Sequence, residues 1–158
     1  MIELLKEARV FKECTSQELQ EIAKICQRRA FKNGERIFEA ESPAQNLYRV
    51  AEGAVELNFK VVHYHASKEM TLDRKFKGEA FGWSALTEPF IYTLSAIAVQ
   101  DSVLLTIKAN DIKKLCTENN HLGYVLMKNI AEIIGGRFAS VQKILIDMIQ
   151  QNLIEKER

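Results

Sequence analysis

The sequence predicts a mainly β fold: a double-stranded roll of jelly-roll type held between an N-terminal helical segment and a long C-terminal helix. Three observations carry this. Residues 1–30 place their apolar side chains at helical spacing. From residue 31 to about residue 108 the pattern changes to short, alternating runs rich in β-branched and aromatic residues, separated by turn signals every 8–12 residues or so. From residue 109 onward a helical period returns and persists.

The N-terminal segment opens with Phe11 ahead of Thr15-Ser16-Gln17-Glu18, a capping box in which Thr15 caps the helix and Glu18 reaches back. Leu19, Ile22, Ala23 and Cys26 then form one apolar face, and Asn33-Gly34 supplies the turn that ends the segment. The roll, residues 31–108, has strand candidates at Arg36–Phe38, Leu47–Val50, Ala54–Phe59, Met70–Leu72, Ala96–Val99 and Ser102–Ile107. Ser42-Pro43, Glu52-Gly53, Lys77-Gly78 and Gln100-Asp101 divide them. The C-terminal part, residues 109–158, begins with a short helix through Leu115-Cys116 that breaks at Asn119-Asn120. A long helix follows, with Met127, Ile130, Ile134, Phe138, Val141, Leu145 and Met148 spaced by three or four residues in a heptad-like seam. Gly135-Gly136 lies inside the one stutter of that seam. Each glycine costs about 1 kcal/mol relative to Ala, so a kink or break is expected there.

At 158 residues the chain reads as a single domain, 1–158, with room for a real core. It is 47% hydrophobic and 27% charged, the balance of a globular protein, and its net charge of +1 offers no excess to attract DNA or an anionic membrane. No apolar run is long enough for a membrane span, and Met1-Ile2-Glu3-Leu4-Leu5-Lys6-Glu7 lacks the apolar core of a signal peptide. Cys14, Cys26 and Cys116 are odd in number and widely spaced, which argues for reduced thiols and a cytoplasmic location. There is no P-loop, Cys-x-x-Cys or Ser-His-Asp order to suggest catalysis.

The segment 78–96 carries the main functional signal. It reads Gly78-Glu79-Ala80-Phe81-Gly82-Trp83-Ser84-Ala85-Leu86-Thr87-Glu88-Pro89-Phe90-Ile91-Tyr92-Thr93-Leu94-Ser95-Ala96. Together with Phe31–Phe38 and Leu47–Leu57, it resembles the cyclic nucleotide-binding domains of the catabolite activator type. In those domains this segment is the phosphate-binding cassette. Phe81-Gly82 and Ala85-Leu86 match the first half of the cassette pattern, and Thr93–Ala96 match its end. The resemblance places the ligand at Gly82, Trp83, Ser84, Ala85, Phe90, Ile91 and Tyr92, and makes Arg137 on the last helix a candidate lid residue. Several positions depart from the pattern. Trp83 stands for the ribose-binding Glu, Phe90 for the phosphate-pairing Arg and Ile91 for the small residue after it. Ala40 replaces a turn Gly, and the loop from Gly82 to Phe90 is short for the family.

The resemblance implies a non-catalytic regulatory or sensor domain in which ligand repositions the long helix. The missing Glu and Arg speak against ordinary cAMP or cGMP binding. That leaves either another small ligand or aromatic side chains filling the vacated space. No cofactor is expected. The apolar seam of the last helix predicts a homodimer through that helix, and the low charge predicts no DNA binding. A rival reading comes from His63, His65 and Glu69, a His-x-His-x3-Glu run that resembles the first metal motif of the cupins. In a strand both histidines point to one face, as metal ligands must, but the second cupin motif is missing. The plainer alternative is a polar, exposed hairpin with no metal.

Overall fold

The structure, a computed structural model, describes residues 1–63 and 66–156. In chain order it comprises α1 (Ile2–Lys6), a 3-10 turn (Arg9–Phe11), α2 (Ser16–Ile25), β1 (Cys26–Phe31), β2 (Arg36–Phe38), β3 (Asn46–Glu52), β4 (Ala54–His63), β5 (Ala66–Phe76) and β6 (Ala80–Phe81). A cassette 3-10 helix (Trp83–Leu86), β7 (Ser95–Ala98), β8 (Ser102–Lys108), α3 (Ala109–Glu118) and α4 (Asn120–Lys156) complete it. The strands form two four-stranded sheets in the orders β1-β8-β3-β6 and β2-β7-β4-β5, and every pairing is antiparallel. This is the expected roll with flanking helices.

Strand alternation divides the core in two. On β8, Leu104 points into the roll with Val50, Val55, Leu57, Phe81 and Ala96. Leu105 and Ile107 point the other way, where they meet Leu19 and Ile22 of α2, Ile112 of α3 and Leu122 and Leu126 of α4. The start of α4 is further pinned by Asn129, which is buried and donates from Nδ2 to the carbonyls of Val10 at 3.1 Å and Lys12 at 2.6 Å.

The capping box forms as the sequence predicts. Thr15 Oγ1 accepts from Glu18 N–H at 3.2 Å, and the Glu18 carboxylate accepts from Thr15 N–H at 2.7 Å. The same carboxylate receives Asn119 Nδ2 at 3.0 Å and lies 2.8 Å from His121 Nδ1, so a local cap becomes a tie between the two helical ends. Gly53 sits in the β3–β4 turn at φ +90°, and a Cβ there would overlap Ser102.

Two expectations change. Residues 26–30, assigned to the helical segment by sequence, belong with Phe31 to β1, which pairs along its whole length with β8 from Cys26↔Ile107 to Phe31↔Ser102. Cys26 therefore follows the end of α2, with extended dihedrals, instead of extending that helix's apolar face. The helix α4 also runs unbroken through Gly135-Gly136. Both glycines face open space, and the Ser140 hydroxyl donates to the Gly136 carbonyl at 3.1 Å within the same turn. Their cost in backbone entropy is real but too small to interrupt a helix of 37 residues.

Candidate functional site

The cassette follows directly from the fold. Chain reversal after β6 places Gly82 at φ +82°, a conformation favouring glycine. A side chain there would meet the Asn46 carbonyl at 2.9 Å and the Tyr48 ring at 3.1 Å. The 3-10 helix Trp83–Leu86 begins at once, with Ala85 N–H donating to the Gly82 carbonyl at 3.1 Å. The chain then returns alongside residues 41–44. Ala44 N–H donates to Phe90 O at 2.8 Å, Tyr92 N–H to Ser42 O at 3.0 Å and Glu41 N–H to Tyr92 O at 2.7 Å.

That return decides which side chains face the interior. A small cavity of about 30 Å³ is lined by Phe38, Leu57, Gly82, Trp83, Ser84, Tyr92, Thr93, Leu94 and Arg137. Of the residues singled out by sequence, Gly82, Trp83, Ser84, Tyr92 and Arg137 therefore meet around one space. Ala85 is buried on the opposite side of the cassette helix, and Phe90 and Ile91 are exposed. Phe90 has φ +58°, and Ile91 forms an isolated bridge to Pro43. The backbone thus enters the sheet edge with Ile91 outward and Tyr92 inward. The position facing the cavity is two residues further along than counting from Gly82 suggests. The sequence does not point to Phe38, Leu57, Thr93 or Leu94 as wall residues. The alternation that begins at Tyr92 is a local signal for Leu94, whereas Thr93 falls on the outward parity.

Aromatic rings fill most of the interior. Tyr92 stacks on Phe38 with centroids 3.7 Å apart, and Tyr48 stacks on Phe81 at 5.2 Å. The Tyr92 hydroxyl donates to the Asn46 carbonyl at 2.8 Å and accepts from Asn46 N–H at 3.0 Å. Burial raises its phenol well above its usual value, so the ring is neutral at any ordinary pH. From the other side α4 delivers Arg137, whose guanidinium lies over the Trp83 ring at 5.8 Å. Arg137 is the single charged group on the cavity wall.

The metal motif does not assemble among the described residues. Glu69 on β5 is held by Arg36 through contacts of 3.0 and 3.3 Å. His63 closes β4, and His65 lies outside the described residues. Among the described residues no group of three or more His, Cys, Asp or Glu is placed to hold a metal ion. No helix of the described residues is long and apolar enough to cross a membrane. The three cysteines are free and half-buried, and burial pushes the Cys14 thiol up to about 12 and Cys26 to about 11.

Two antiparallel sheets closed into a roll, a short cassette helix and a long C-terminal helix that brings Arg137 to the cavity define the fold class. The model of the cyclic nucleotide-binding domain matches residues 28–119, and the chain belongs to that family. A Geobacter metallireducens protein assigned as cyclic nucleotide-binding is 33% identical, with 86% of this chain and 96% of that chain covered and a TM-score of 0.72. The Thermus thermophilus catabolite activator protein is 26% identical over 90% of this chain, which spans 63% of its length, with a TM-score of 0.73. The regulatory domain of Toxoplasma gondii PKA, in complex with cAMP, shares the fold at 18% identity, 83% and 48% coverage and a TM-score of 0.68. A comparison with curated proteins returns no match.

Proposed function

We propose that this chain is a non-catalytic regulatory domain whose nucleotide site has been filled from within by aromatic side chains. The observation that supports this is the size of the cassette cavity. About 30 Å³ holds a water or two, whereas a small-molecule site offers roughly 300–1,000 Å³. Tyr92 and Trp83 line the place where a charged ligand would need a cation and an acceptor. Each lost charge-assisted contact costs about 1.5–3 kcal/mol, so two remove several powers of ten in affinity. Arg137 couples the cavity to α4 through Trp83, and a helix biased by a pocket is a sound basis for a switch.

Titration of cAMP and cGMP, read by the fluorescence of Trp83, the chain's only tryptophan, is expected to give dissociation constants no better than roughly the millimolar range. Trp83→Glu combined with Tyr92→Arg should tighten binding, and Phe90→Arg should not. Micromolar binding by the unmodified protein would overturn this reading.

The output surface we assign is α4. Phe138, Leu145, Met148, Leu153 and Ile154 are all more than half exposed, far more apolar surface than a lone helix carries in water. This favours a homodimer through the helix, disrupted by Ile134→Glu with Val141→Glu. Sedimentation as a monomer at high micromolar concentration would count against it. The net charge of +1 favours no duplex DNA binding by this domain.

A further inference from the structure

We infer that the chain carries a second, separate site for a phosphate monoester, in the cleft behind the cassette helix. This cleft, about 690 Å³, lies at the far end of the roll between β1, β8, residues 44–46 and the first turn of α3. It is more than twentyfold roomier than the cassette cavity, whose volume is about 30 Å³. Ala85 and Phe90 form its near wall, so the two spaces stand on opposite sides of the cassette.

Three independent features select an anion. Arg29, Lys108 and Lys113 line the cleft with no carboxylate among the lining residues, and among the described residues none of the three forms an ion pair. The N-terminus of α3, a helix of 10 residues, opens here without a side-chain cap, and Asn110 of its first turn lies on the wall. On the cleft wall stands Thr106 of β8, 5% exposed, its Oγ1 without a hydrogen-bond partner. A buried hydroxyl with no partner is unfavourable, and Val would fit the same strand position without that cost. A phosphate oxygen supplies the missing acceptor and meets the cations and the helix end together.

The remainder of the cleft selects an ester over the bare ion. Ala44, Ala85 and Ala109 are apolar. Lys113 Nζ lies 3.7 Å from the centre of the Phe90 ring, which is exposed and held at φ +58°. That wall suits an organic group attached to the phosphate. A dianionic monoester also matches three cations better than a monoanionic cyclic diester does.

The test is calorimetric and NMR titration of the whole chain at low salt with inorganic phosphate and with 5′-AMP. Amide shifts are expected at Thr106, Asn110 and Lys113, with 5′-AMP binding more tightly than phosphate. Equal affinities would retain the anion site and assign it to free phosphate. Thr106→Val should weaken binding roughly tenfold while leaving urea stability in phosphate-free buffer equal or higher, and Lys108→Gln with Lys113→Gln should weaken it by at least about tenfold. The inference fails if no shifts appear at these residues or if affinity survives both variants. It also fails if 5′-AMP changes Trp83 fluorescence while ignoring the lysine variant, which would place the ligand in the cassette cavity. Weak cAMP binding at Trp83, or its absence, leaves this site untouched.

Discussion

Replacing Tyr92 with Phe isolates what holds the cassette closed. The ring keeps its stacking on Phe38 at 3.7 Å, so core volume is conserved. What disappears is a hydroxyl that donates to Asn46 O at 2.8 Å and accepts from Asn46 N–H at 3.0 Å. Each such neutral bond nets about 0.5–1.5 kcal/mol, so losing both should cost about 1–3 kcal/mol. For a domain of this size that corresponds to a fall in Tm of roughly 3–10 °C. Tyr48→Phe provides the internal comparison. Its hydroxyl accepts one longer bond, from Asn46 Nδ2 at 3.3 Å, and its loss should cost less than about 1 kcal/mol. Urea unfolding followed by circular dichroism and by Trp83 fluorescence measures both variants. The reasoning is refuted if Tyr92→Phe stays within about 0.5 kcal/mol of the parent, or if Tyr48→Phe is the more damaging.

Gly53→Ala should cost about 3 kcal/mol or more, because it combines a left-handed φ of +90° with a Cβ that overlaps Ser102; an unfolding midpoint near that of the parent would contradict it. Gly135→Ala and Gly136→Ala should each stabilise by about 0.5–1 kcal/mol, since both sit in a continuous helix with open space around the added methyl; a loss in thermal midpoint would instead imply that the glycines admit a close neighbour. Glu18 is buried, which raises its pKa, but hydrogen bonds from Thr15 and the nearby His121 outweigh burial and hold it below the usual carboxylate range. Its stabilisation is therefore complete above the unfolded value of about 4.3 and is lost as pH falls through the lower folded value. Glu18→Gln should destabilise at pH 7, with the gap to the parent narrowing below about pH 4; urea midpoints whose gap stays constant on acidification would exclude this linkage.

The parts legible in the sequence are those whose cause is local. The capping box at Thr15 and Glu18, the strand Arg36–Phe38, the turn at Gly53 and the break at Asn119 each depend on residues within a few positions of one another. The cassette was recognisable for the same reason, since Gly82 needs its left-handed φ whatever lies around it. Tertiary structure decided the rest. Gln27-Arg28-Arg29 carries no alternating apolar signal, and it is a strand because β8, whose partners Thr106, Leu105 and Leu104 lie far along the chain, offers an unpaired edge. Whether Phe90 or Tyr92 faces the cavity depends on hydrogen bonds to residues 42–44, a partner that no spacing within the cassette reveals. Thr106 reads as one more β-branched strand residue, and only the approach of β1, α3 and the cassette brings it into one cleft with Arg29, Lys108 and Lys113. Period and caps are set by neighbours along the chain. Enclosure is set by which surfaces the packed sheets and helices bring together, and that information is spread over the whole sequence.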